Sequence, residues 1–98
     1  MLYTLNENFR KIGCEFTQKE RVGDYALYCR KKSSGVKVYE VVKIRKMKVP
    51  EIFFGKSNKY KYGDEMEIYP GNEDFGRYAW FYRSYKTAKD KFDRMVNK

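Results

Sequence analysis

Two β-rich runs, DYALYCRK at 24–31 and VKVYEVVKIRK at 36–46, are separated only by Lys32-Ser33-Ser34-Gly35. Val, Ile and Tyr favour a pleated, half-buried surface, and a short polar link ending in glycine suits a tight reversal, so the pattern predicts an antiparallel hairpin. Closing that loop with Lys31 opposite Val36 sets Cys29 against Val38, Leu27 against Glu40 and Tyr25 against Val42 on one face. The other face then carries Arg30 with Lys37, Tyr28 with Tyr39 and Ala26 with Val41, because residues directly across a ladder point the same way.

The flanking segments extend the sheet. CEFTQKERV, 14–22, puts Cys14, Phe16 and Val22 on one parity and Thr17, Lys19 and Arg21 on the other, as in a strand with one wet face. Residues 47–63 carry apolar residues at both ends of a Lys-, Ser- and Asn-rich middle, with Pro50 and Gly55 as breakers, and are expected to form a long loop with a short strand at most. EMEIYP, 65–70, alternates Met66 and Ile68 with acids and ends at Pro70, the pattern of an edge strand. GNEDFG, 71–76, is a turn in which Asn72 caps one helical turn and Gly76 ends it at positive φ. RYAWFYR, 77–83, follows as a strand, with Trp80 assigned to the core. Ser84 is a good N-cap, and Tyr85, Ala88, Phe92, Met95 and Val96 fall on one helical stripe, with Lys86, Lys89, Asp90, Asp93 and Arg94 on the rest of the surface. The expected fold is α+β: an antiparallel sheet of about four or five strands with one C-terminal helix packed on one face.

At 98 residues the chain is expected to be a single domain, 1–98, with one core. Aromatics make up 18% of it, so a small core can be filled by large rings. Lys and Arg number 22 against 13 acids, giving a net charge of +9 that an absence of histidine leaves constant across neutral pH. Such a surface attracts polyanions, of which nucleic acid and anionic membrane are the two usual ones, although excess charge can also serve solubility alone. No apolar run approaches the roughly 20 residues of a membrane span, and the start MLYTLNENFRK lacks the order of a signal peptide, so a cytoplasmic location without a membrane partner is expected. Cys14 and Cys29 sit in apolar-alternating segments; a disulfide between them stays open, and a cytoplasmic location speaks against it. Two cysteines without histidine do not make a zinc set, and neither a metal nor a cofactor is expected.

Without histidine there is no Ser-His or Cys-His nucleophile, and phosphate-loop and dinucleotide glycine signatures are missing. Glu40 with Lys43 and Asp64 or Glu65 is the one conceivable metal-nuclease set, and its spacing is generic; a lone half-buried glutamate is more often part of an ion pair. Asp74-Phe75-Gly76 matches a kinase tripeptide without any of its companions, so Glu73 and Asp74 are read as turn acids. The stronger signal is a basic-aromatic face formed by Tyr28, Arg30, Lys37, Tyr39, Lys43 and Arg45, joined by Lys19 and Arg21 of the preceding strand. Rings between cations suit nucleic acid, since bases stack while Lys and Arg meet phosphates, although a wet sheet face with basic residues guarding its edges has the same composition. Lys56, Lys59, Tyr60, Lys61 and Tyr62 form a second such cluster on the loop.

Three stretches also resemble a group of small proteins from tailed phages and bacterial mobile elements. They are Y-x-V-V-K-x-R at Tyr39–Arg45, E-x-Y-P-x-N-E-x-F-G-x-x-A-W-x-Y from Glu67 to Tyr82, and Ala88 with Phe92 in the closing helix. The resemblance implies a phage-like origin and an accessory role acting on host machinery, and brings no catalytic residue. The expected function is therefore non-enzymatic binding of nucleic acid, or of a host protein–nucleic-acid complex, through the basic-aromatic surface. The alternative is a stoichiometric inhibitor of a host defence or regulatory protein, of the anti-CRISPR kind. The helix stripe makes a direct prediction: in thermal unfolding, Phe92→Ala should lower stability several times more than Lys89→Ala, and equal effects would refute the placement of the stripe.

Overall fold

The computed structural model describes residues 2–50, 61 and 63–97. Along them run β1 (Leu2–Tyr3), β2 (Asn8–Lys11), β3 (Cys14–Val22), β4 (Tyr25–Lys31), β5 (Lys37–Lys43), β6 (Arg45–Lys48), β7 (Glu65–Ile68), β8 (Ala79–Tyr82) and the helix α1 (Tyr85–Val96). The main sheet is antiparallel with order β2-β3-β4-β5-β8; a smaller sheet has order β1-β7-β6. The α+β architecture with one helix on the main sheet follows the expectation.

The hairpin register does not. The Gly35 N–H donates to the Lys32 carbonyl and the Lys32 N–H to the Val36 carbonyl, each at 2.9 Å, so Lys32 rather than Lys31 faces Val36. Gly35 sits at φ 91, the left-handed position that closes a three-residue loop with a bulge. Shifting the pairing by one residue turns every side chain of the second strand to the other face. Lys31 now faces Lys37, Cys29 faces Tyr39 and Tyr28 faces Glu40, so the two tyrosines lie on opposite sides of the sheet.

On one side, α1 lays Ala88 and Phe92 over Leu27 and Val41, with Tyr25, Tyr39, Tyr82, Met95 and Val96 around them. The Ser84 hydroxyl caps the helix by accepting from the Thr87 N–H at 3.5 Å, as the sequence predicts. Each large side chain buried here contributes roughly 1.5 to 3 kcal/mol before chain entropy is subtracted.

The expected wet side is a second core. Cys14, Phe16, Ala26, Tyr28, Val42, Ile44 and Ala79 are buried there under Leu5, Phe9, Tyr69 and Phe75. Phe9 stacks on Phe16 at 4.7 Å, and the Tyr69 ring meets Phe9, Phe16 and Tyr28 edge-on at 5.2 to 5.4 Å. The run 36–46 supplies this cover by breaking at Ile44, whose N–H donates to the Asp24 carbonyl at 2.7 Å; beyond it β6 leaves the main sheet and pairs with β7. EMEIYP is thus not an edge: β7 lies between β6 and β1, and Pro70 falls past its end, where it removes no ladder bond. Cys14 faces this second core while Cys29 lies across from Tyr39 on the helix side, and both thiols are free.

A bulge sets one further face. The β3–β4 register slips between Gln18 and Glu20, which moves Arg21 onto the side of Phe16 and leaves Val22 exposed instead of buried with Cys14. Arg21 then reaches Glu67 of β7 with two hydrogen bonds of 2.6 Å, and the Leu5 N–H donates to the same carboxylate at 2.8 Å. The Arg21 guanidinium holds Glu67 below the usual carboxylate range, with help from Leu5 and against the opposing effect of burial. A depressed carboxylate stabilises the fold above its unfolded pKa of about 4.3 and loses that contribution as pH falls through the lower folded value. Glu67→Gln is expected to cost about 3 kcal/mol near neutral pH. In denaturant titrations the gap to wild type should narrow below about pH 4, and a gap unchanged there would show that the pair carries no linkage.

Candidate functional site

The eight residues of the expected basic-aromatic face are brought together only in part. Tyr28 has no exposed surface; its hydroxyl donates to the Asn6 carbonyl and accepts from Gln18 Nε2. Tyr39 lies on the helix side with its ring 5.4 Å from that of Tyr85. Arg21 is committed to Glu67, and Arg45 to Asp74 at 2.8 Å while its guanidinium covers Tyr78 at 4.4 Å. Lys19 is exposed at the bulge and Lys43 on the helix side opposite Tyr25. The register shift and the second core thus remove the face as a continuous surface. In the second cluster, Lys56, Lys59, Tyr60 and Tyr62 lie outside the described residues, and Lys61 is exposed, its backbone N–H donating to Asp64.

Arg30 and Lys37 remain, at the end of the sheet where both hairpins turn. On the side of the second core, Arg30 pairs across to Val38, and Glu40 pairs across to Phe81 of the edge strand β8. The covering layer stops short of these residues. With Lys32 and Phe75 they line a recess of about 280 Å³. Phe81 is 59% exposed, and Phe75 meets it edge-on at 6.2 Å. Lys32 also borders a second depression of about 190 Å³, shared with Arg10, Glu15 and Lys31, so it stands between the two.

Glu40 forms part of the recess lining and is held from behind. The Tyr69 hydroxyl donates to its Oε1 at 2.6 Å and Arg30 Nη1 to its Oε2 at 3.3 Å. Burial, then the charge of Glu40, pushes the Tyr69 phenol far above its usual range, so it stays protonated and can only donate to the carboxylate. Arg30 is raised above its usual value, first by its contact with the Cys14 thiol and then by Glu40, with burial opposing both. Its Nε is a buried donor without an acceptor, and its guanidinium lies 5.4 Å from the Phe16 ring centre. On the opposite, helix-side face of the sheet a row runs from Arg10 through Glu15 and Lys31 to Lys37. Arg10 occupies Glu15 at 2.8 Å, and among the described residues Lys31, Lys32 and Lys37 have no ion pair.

The conceivable nuclease set is scattered. Glu40 and Lys43 point to opposite faces of β5, Asp64 is bound to Tyr3 and the Lys61 N–H beside the smaller sheet, and no cluster of three metal-ligating residues occurs among the described residues. Trp80 is half-buried on the helix side with Lys91 4.4 Å from its ring centre. Lys31, Lys32, Val38, Phe75 and Phe81 were absent from the expected site. Period-two alternation against buried Ala79 was the signal that could have found Phe81, since it puts Phe81 beyond the rim of the core at an edge.

Family models, curated proteins and solved structures yielded no match to the chain. Among the described residues no helix is long and apolar enough to cross a membrane. The recess therefore stands on its own geometry, and its anchor can be tested. Tyr69→Phe removes the donor behind Glu40 and should lower stability by about 2 kcal/mol in urea unfolding, as expected for a lost hydrogen bond to a charged group; no change would mean the carboxylate is solvated instead.

Proposed function

We propose that this protein is a small non-enzymatic accessory protein of phage type that binds single-stranded nucleic acid, alone or within a host nucleic-acid complex, through the recess and the lysines beside it. One observation supports this most directly: an exposed phenylalanine at the sheet edge, Phe81, borders a recess that also holds Arg30 and Lys32. An aromatic face offers any unstacked base a stacking surface, and neighbouring cations meet the phosphates on either side. Duplex bases are already covered above and below, so the recess suits a single strand or an unpaired end. Lys32 at the hairpin end borders both the recess and a second depression that holds Lys31 and Arg10 on the opposite face, so a backbone leaving the recess meets further cations by passing around that end. The resemblance of Tyr39–Arg45 and Glu67–Tyr82 to phage and mobile-element proteins supports the accessory role, in the cytoplasm of a host cell.

A second reading, a stoichiometric inhibitor of a host protein, is favoured by Ile12 and Val36. Both sit in hairpin turns at the same end of the sheet and are 69% and 53% exposed, and Ile12 holds φ 53, a costly conformation for a β-branched residue. Salt dependence separates the readings. Fluorescence anisotropy with labelled single-stranded DNA and RNA should show affinity falling linearly with the logarithm of salt concentration. Phe81→Ala should weaken binding roughly tenfold or more, and Lys32→Ala should reduce the salt slope by about one. If neither nucleic acid binds near physiological salt, the first reading is lost and the inhibitor reading takes its place.

A further inference from the structure

The hairpin end of the main sheet carries two apolar tips. Lys11 pairs with Cys14, so Ile12 and Gly13 make a two-residue turn between β2 and β3, at φ 53 and 70. Positive φ at both positions is a geometry that asparagine, aspartate and glycine enter cheaply and a β-branched side chain does not. Ile12 nevertheless stands there, 69% exposed, so it fills no core. Val36, 53% exposed, follows Gly35 in the turn between β4 and β5. The Glu15–Lys31 and Lys31–Lys37 pairings put both turns at the same end, two strands over and about 10 Å apart. Cations surround them on both faces. Lys31 and Lys37 face the helix side, Lys11 shares the opposite face with Cys14, and Lys32 borders the recess. These lysines are exposed, and among the described residues none has an ion pair, while Glu15 is already held by Arg10.

We infer that this end of the sheet docks on the surface of an anionic phospholipid membrane, with Ile12 and Val36 entering the headgroup layer and the lysines meeting the lipid charges. A strained turn that holds an apolar side chain in water is accounted for when that side chain has an apolar phase to enter. An aliphatic tip offers nucleic acid no stacking face, and protein hot spots are built on Trp, Tyr and Arg rather than on isolated valines. A bilayer needs no matching pocket. Its acyl boundary takes the tips, and its anionic headgroups gather under the lysines that arrive. They also relieve the opposition of Lys31 and Lys37 across the ladder. Such a contact is peripheral, so the sequence expectation of no membrane partner, which rests on the lack of a spanning run and a signal, does not bear on it. A cytoplasmic location agrees with it, because the inner leaflet is the negatively charged one. The contact goes beyond strand binding and uses apolar groups other than Phe81.

The test is co-sedimentation of the intact protein with large vesicles of phosphatidylcholine, either alone or mixed with about one-third phosphatidylserine. Wild type should bind the mixed vesicles and leave the neutral ones, and binding should weaken as salt rises. Ile12→Asn should lower vesicle affinity about tenfold while melting no lower than wild type, because asparagine accepts the φ of the turn. Val36→Ser, at the other tip, should lower affinity several-fold, and Lys31→Ala about fivefold. Phe81→Ala should leave vesicle binding unchanged, which separates this surface from the strand site. Failure of wild type to bind the mixed vesicles, or full binding by both Ile12→Asn and Val36→Ser, overturns the inference, leaves strand binding intact and returns the tips to a protein partner. An equal loss of strand and vesicle binding in Phe81→Ala overturns it as well, since one surface would then serve both.

Discussion

A sheet that is apolar on both faces has to be covered twice, and a single helix covers one side. Tyr28, Ala26, Val42 and Ala79 have no exposed surface on the side away from α1, so the fold depends on the layer that buries them. That layer is assembled from distant parts of the chain: Leu5, Phe9, Ile44, Tyr69 and Phe75. Its packing is non-directional, and the Arg21–Glu67 pair gives it a fixed position. A buried ion pair stabilises weakly against an apolar alternative, because both groups lose water, but it discriminates strongly between registers. The bulge at Lys19 is what allows Arg21 to face Glu67, and a strand without the extra residue would turn the guanidinium to the helix side.

The same layer creates the recess by where it ends. Tyr69 reaches Glu40 and seals it from behind, whereas Arg30, Val38 and Phe81 continue one step further along their strands than the cover does. Glu40 is thereby left buried at the back of the recess, with Tyr69 on one oxygen and Arg30 on the other. Edge position matters too. Among the described residues β8 has a strand neighbour on one side only, so Phe81 meets no side chain of a further strand there.

Charge follows a related logic. Many of the acids are spent internally or in local pairs: Glu67 with Arg21, Glu40 with Arg30, Asp74 with Arg45, Glu20 and Asp93 with Lys89, and Glu15 with Arg10. Six acids thereby occupy five cations, Lys89 serving two of them, and the net positive charge rests on the remaining lysines and arginines. At the hairpin end Lys31 and Lys37 stand directly opposite each other, a destabilising arrangement that a bound anion would relieve. Long-range attraction and local stacking are therefore supplied by different residues, cations for approach and Phe81 for contact.

Local patterns in the chain were sufficient for the elements themselves. The hairpin, the strand at 14–22, the turn with Gly76 at φ 92, the Ser84 cap and the helix stripe all formed where their residues predicted, because each rests on interactions between near neighbours. What failed was everything set by a count of one. A bulged loop at Gly35 and a bulge at Lys19 each reassign a whole set of side chains, and neither costs enough locally to be visible in composition. For that reason Tyr28, whose neighbours Arg30 and Lys37 suggested a wet surface, lies at the centre of a core, and Glu67, one acid in an alternating strand, is buried. Sequence alone determined an aromatic-rich, strongly cationic α+β chain with a covered sheet. Which face is dry, which ion pairs close and where Phe81 is left standing were decided only by tertiary structure, since they depend on contacts between residues far apart in the chain whose burial no local pattern records.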